Sequence, residues 1–237
     1  MGQLTVSTPG QKVVAVFGFC DIRQFTGSSL QNGCPRTRNP PFFKIHVFVL
    51  LGITECLQQD IMVFVNQIAE ILHADVHLSG GAPNKNIGDA FLFVWKLQSN
   101  YSGIESLKSS RQTAIAENAL GCFIKCALHL QYSNENGILS YYRDYPKMRE
   151  RFGKHKQFLV RLGFGLHVGW AIEGAIGSKF KIDVSYLSPH VNIAARLEAA
   201  TKQYKVDILF SDNLFQLFSP TVQVRKVCRP QLLQRLH

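Results

Sequence analysis

Acidic residues are scarce in this chain of 237 residues: 16 Asp and Glu stand against 26 Lys and Arg, a net charge of +10. That surplus excludes an acidic, solvating tail. It points to phosphate-bearing partners without choosing among a nucleotide, a nucleic acid and an anionic membrane. Charged residues of both signs make up only 18% and hydrophobic residues 46%, which excludes a disordered segment or a coiled coil. The length predicts one domain, or one domain with an insertion, with mass enough for a sizeable core. Long apolar runs are missing too. The run 47–51 lies in a stretch that also holds Lys44 and His46, and even 90–95 is only six residues, whereas a bilayer span needs about 20 apolar residues, so no membrane span is expected. The N-terminus lacks the charged start and apolar core of a secretory signal. Val6 stands where a myristoylation pattern asks for Ser or Thr. The six cysteines (20, 34, 56, 122, 126 and 228) make no CxxC pair, which reads as a reduced, cytoplasmic chain or the cytosolic part of a larger membrane-associated protein. No internal repeat is present.

What is there reads as alternating strands and helices. Residues 12–20 (KVVAVFGFC) are a β-branched and aromatic run that stops at Asp21, a buried strand. Apolar residues at 57, 61, 64, 65, 68, 71 and 72 have the spacing of an amphipathic helix. After the turn at 80–83, segments 84–87 and 90–95 read as a hairpin joined at Gly88-Asp89. Helices are expected over 111–131 and 191–204, strands over 158–170 and 206–211, and a loop over the polar, basic 141–156. This order suggests an α+β sandwich with helices over one sheet face. Residues 27–53 break the rhythm: they are rich in turn residues, hold three Lys/Arg and lack Asp and Glu. A structureless loop of that length is uncommon in a compact domain, so the segment reads as an inserted surface loop or a retained intron.

The candidate chemistry begins with two carboxylates. Asp21 ends the first strand and Asp89 sits in the hairpin turn, so they converge if those strands are neighbours. Such a pair suits Mg²⁺, which takes carboxylate oxygens plus substrate phosphates. An Asp at a turn serves equally well as a solvated or capping residue, and spacing alone leaves both readings open. Asn192 and Arg196, four apart, share a helix face and could grip a phosphate; a pairing of Arg196 with Glu198 or solvent is the plain alternative. The glycines at 163, 165, 169, 174 and 177 could be bends where strands pass closely.

Four strings taken together, FCDIRQFT (19–26), NKNIGDAFLFVW (84–95), FGLHVGWAIEGAIGS (164–178) and VNIAARLEAATKQY (191–204), resemble the class III adenylyl/guanylyl cyclase catalytic domain, in the family's order. The resemblance implies an α+β fold with a ferredoxin-like βαββαβ core, over 12–228, working as a head-to-tail dimer with active sites at the interface. It gives Asp21 and Asp89, with the backbone of Ile22, the role of holding two Mg²⁺ (or Mn²⁺). Asn192 would orient the ribose and Arg196 would stabilise charge on the reacting phosphate, both from the other protomer. One chain carrying both halves implies a homodimer with equivalent sites, or pairing with a second cyclase domain.

For the base, Lys85 occupies the place where adenylyl cyclases keep Lys, and Ser185 occupies the partner position. A Lys donor suits N1 of adenine and a hydroxyl can accept from its amino group, so the resemblance implies ATP as substrate and cyclic AMP as product in intracellular signalling. The alternatives are a guanylyl cyclase and a non-catalytic cyclase homology module. A basic βαββαβ sheet also invites nucleic acid, but the aromatic ribonucleoprotein signature is missing, so no nucleic-acid partner is expected.

Three departures from the family pattern stand out. The spacing of Asp21 and Asp89 is long, with the excess in 27–53. Residues 229–237 read as a tail outside the family pattern, without the Lys-Gly motif whose lysine holds the triphosphate; Lys226 and Arg229 are the nearest substitutes. This reading leaves an unpaired sheet edge. Finally, Ser188-Pro189-His190 replaces the usual residues before Val191-Asn192.

Overall fold

In the computed structural model the described residues are 8–23, 53–97, 103–152, 158–227 and 233–236. The expected insertion lies outside them except for Ile53, as does Arg229. The chain divides into two compact units, Met1–Asp21 with His73–Lys125 and Leu162–His237, and Ile22–Leu72 with Cys126–Arg161.

The first unit is built on a sheet. Strand β1 (Gln11–Arg23) is the β-branched and aromatic run, and it continues through Asp21 rather than stopping there. Helix α1 (Ile61–Leu78) leads into the hairpin β2 (Ala82–Ile87) and β3 (Ala90–Leu97). Gly88 takes the left-handed φ of 65° that the two-residue turn requires. Helix α2 (Ser110–Asn136) precedes the long strand β4 (Arg161–Ser178). Strands run β2-β3-β1-β4 across the sheet, the order of a ferredoxin-like βαββαβ core. Strand β6 (Ile208–Ser211) pairs parallel to β4, and β5 (Lys181–Leu187) folds back antiparallel on the far half of β4. Strand β7 (Leu233–Leu236), within the segment expected to be a tail, lies parallel along β6 and covers the edge that the sequence had left open.

Each sheet face has its own helix contacts. On one, Phe123 of α2 meets Phe93, Trp95 and Phe164 at ring distances of 6.1, 5.7 and 4.7 Å, and His73 of α1 stands edge-on to Phe91 and Phe93. On the other, helix α5 (Pro189–Tyr204) packs Val191 and Ala194 against Phe17, Leu92, Val94 and Tyr186. Burying each of the larger apolar side chains contributes about 1.5–3 kcal/mol. The glycines of β4 do more than bend a strand. A Cβ on Gly165 would lie 2.3 Å from the Ala194 carbonyl and the Glu198 amide, and one on Gly169 would meet the His190 ring, so these two positions let α5 lie on the strand.

In the second unit, Phe64 meets Tyr142 edge-on at 4.8 Å. Asn134 exchanges two hydrogen bonds with the Val160 backbone, donating to its carbonyl (2.8 Å) and accepting from its amide (2.9 Å). The expected loop over 141–156 is instead largely helical, as α3 (Ser140–Arg143) and α4 (Pro146–Phe152), because Tyr142 and Met148 turn into the core despite their basic surroundings. Two short helices, α6 (Asp212–Phe215) and α7 (Pro220–Val227), complete the described elements.

Contrary to the sequence expectation, one helix, Ile53–Leu78, is long and apolar enough to cross a membrane by length and composition. Its residues Phe64, Ile68, Leu72 and Val76 recur every four positions and are buried, the pattern of a helix packed into a protein core.

Candidate active site

The register of β1 on β3 sets where the candidate carboxylates lie. Asp21 lies directly opposite Ala90, so Asp89, one residue earlier at the turn, is brought beside the end of β1. In the next row along the same face Phe19 opposes Leu92, and Leu92 in turn opposes Lys85 on β2. Asp21 and Lys85 thus stand on the two strands that flank β3, one row apart, with Asp89 in the turn just before Ala90. Ile22 follows Asp21 on the strand and is buried. Among the described residues no three His, Cys, Asp or Glu side chains gather as a metal cluster. Carboxylates without His or Cys partners are the donor chemistry that suits Mg²⁺ or Mn²⁺ rather than zinc.

Asp21 is only 5% exposed, and its Oδ2 accepts from Lys202 Nζ at 3.0 Å. Sequence reading missed Lys202. The signal was its place one turn beyond Glu198, on a helix side that also carries buried Ala194 and Thr201.

Helix α5 is well delimited. Ser188 caps its N-terminus, accepting from the His190 amide at 3.0 Å, and Pro189 opens the first turn. Lys205 ends it in a left-handed conformation with its amide bonded to the Thr201 carbonyl. Asn192 and Arg196 share the exposed side of this helix. Beneath its start, His167 Nδ1 bonds Ser211 Oγ (2.7 Å) and its Nε2 bonds His190 Nδ1 (2.8 Å). Burial, helped by the neighbouring His190, lowers the pKa of His167 to about 4, and burial also lowers that of His190. His190 is therefore a packed residue under the helix start.

A pocket of about 390 Å³ opens between β2, β3, β4 and β5, lined by Asn84, Lys85, Lys96, Glu173, Asp183 and Tyr186 among others. Glu173 is gripped by Lys96 (2.6 Å) and by the Tyr186 hydroxyl (2.7 Å). Burial pushes its carboxyl up, but those two bonds outweigh it and the pKa falls below the ordinary value. The two base-reading candidates part here. Lys85 lines the pocket, whereas Ser185 is buried opposite Gly174 on β4 and is absent from the described lining. Asn84 donates to the Val184 carbonyl at 3.2 Å and so ties β2 to β5 beside both residues.

Residues 42–229 match the family model of the adenylate and guanylate cyclase catalytic domain. The chain belongs to this family. The matched range leaves out β1, so Asp21 rests on the strand register just described. The cyclase domain is 22% identical over 192 residues to an adenylate cyclase of Anabaena cylindrica, covering 81% of this chain and 33% of that protein. It thus spans about a third of that relative's length. Among solved structures it resembles a bacterial light-regulated adenylyl cyclase (TM-score 0.57, 21% identity, 90% of this chain and 48% of that one). It also resembles the guanylyl cyclase Cya2 (TM-score 0.50, 15% identity, 90% and 81%). Likeness at this level establishes the class III cyclase fold and is shared by enzymes of both base specificities.

Proposed function

We propose that the chain is a cyclase domain that converts ATP to cyclic AMP and pyrophosphate at the interface of a head-to-tail homodimer, in intracellular signalling. The observation that supports this reading most is the pairing of Asp21 with Ala90, the residue that follows Asp89. Asp21, Asp89 and the Ile22 carbonyl would hold two Mg²⁺ or Mn²⁺. Bound there, the ions would supply Lewis-acid activation of the ribose 3′-hydroxyl and neutralise the triphosphate. Lys85, which lines the pocket, would donate to N1 of adenine. Asn192 and Arg196, exposed on α5, would serve the partner's site, Asn192 orienting the ribose and Arg196 meeting charge as it builds on the phosphate. An apolar arm supports a dimer: Phe180, at the tip of the β4–β5 hairpin, is 87% exposed, and Ile176, Ile182, Val184 and Leu187 are exposed alongside it.

One observation favours guanine instead. Glu173 is a carboxylate in the same pocket, and a carboxylate accepts from N1–H and the 2-amino group of guanine. Its oxygens are already taken by Lys96 and Tyr186, which favours adenine.

The test is product formation by the purified chain with Mn²⁺ and either ATP or GTP, beside Asp89→Ala. Cyclic AMP that disappears in the control is expected. Cyclic GMP would overturn the base assignment, and no product from a folded chain would favour a non-catalytic homology module.

A further inference from the structure

The structure places a built-in cation on a carboxylate assigned to the metal. Lys202 extends from the last turn of α5 to Asp21, its Nζ 3.0 Å from Oδ2. Both side chains are largely withdrawn from water, at 25% and 7% exposure. An ammonium so placed occupies a position that a divalent ion would use, and two cations on one carboxylate repel across a poorly screened distance. Taking one partner out of a buried ion pair is also costly to the fold. From these observations we propose that Lys202 is a positioning residue that competes with the divalent cation at Asp21. It holds the carboxylate aimed while the metal is away, and it gives up that oxygen when the metal arrives. The inference rests on the reading of Asp21 and Asp89 as the metal pair.

The competition has a signature that a merely structural residue lacks. Removing the lysine tightens metal binding, whereas loosening a structural prop weakens it. The test is Mn²⁺ binding without nucleotide, followed by the loss of the free-ion paramagnetic resonance signal, together with melting in EDTA and in MnCl2. Lys202→Met should bind Mn²⁺ about tenfold more tightly than the native chain. It should melt lower in EDTA and recover most of that loss in MnCl2. Lys202→Arg, which keeps the charge and can hold the carboxylate with two parallel bonds, should bind Mn²⁺ several-fold more weakly, about threefold or more. This second variant keeps the test decisive if the methionine variant folds poorly.

Equal or weaker Mn²⁺ binding by Lys202→Met, with binding still lost in Asp89→Ala, overturns the role of Lys202 and leaves the metal pair standing. Binding that survives Asp89→Ala in both backgrounds, or is missing from every variant, overturns the metal pair and this inference with it.

Discussion

The two sides of helix α5 are completed in different ways. The inner side is finished within the chain: Ala194 and Glu198 lie on Gly165, Val191 packs with Phe17 and Tyr186, and Lys202 reaches Asp21. The outer side holds Asn192 and Arg196, both exposed. On the proposed reading, one side keeps the carboxylates of its own chain in place and the other serves a second copy. A helix that must do both needs a fixed position, and the glycines of β4 provide it through backbone contact that no other residue allows.

The largest expected effect breaks the inner side. Gly165→Val should destabilise the chain by more than about 3 kcal/mol, because its Cβ meets helix backbone that cannot move aside, and urea unfolding would register the loss. Next comes the outer side. Arg196→Ala should leave urea stability within about 0.5 kcal/mol but lower cyclase turnover about 10²–10³-fold. Mixing it with Asp89→Ala, each inactive alone, should restore about one quarter of native activity, since half the random pairs carry one intact site. No recovery would mean that both sides of α5 serve a single chain.

A smaller effect concerns the histidine pair beneath the start of α5. His167 has its pKa near 4 when folded against an ordinary 6.5, so the folded state favours the neutral ring. Its contribution of about 3 kcal/mol is therefore complete above about pH 6.5 and is lost as the pH falls from there toward 4. Urea midpoints across that window should decline, and His167→Asn should flatten the decline. The smallest effect is at the pocket rim. Asn84→Ala removes one partly exposed bond to Val184 and should cost about 0.5–1 kcal/mol, read from the same unfolding curves.

Much of the first unit was legible in the sequence because its signals are local. The Gly88-Asp89 turn marks its hairpin, and the run around Val14–Phe17 marks a buried strand that reaches Asp21 and beyond. What could not be read depends on pairing at a distance. Strand β5 escaped notice because it is short and its apolar residues Ile182, Val184 and Leu187 are exposed, its register coming from β4. The β4 glycines carry no sign of what lies upon them. Lys202 looks like any surface lysine until the helix is laid against β1. Ser185 was placed by motif alone, and its burial opposite Gly174 also follows from the β4–β5 register rather than from anything local.

The bond between Lys202 and Asp21 closes a loop of 181 residues. Loop closure becomes more costly as the chain between the ends lengthens, so contacts this distant in sequence reward folding late. Asp21 and Asp89 need only the shorter closure of β1 on β3. During refolding the carboxylates should therefore meet before the lysine arrives, and amides of β1 and β3 should gain protection from exchange ahead of those in α5. In that interval a divalent ion in the medium would find Asp21 without its competitor, and the order of assembly, as much as the finished fold, would decide which cation reaches it first.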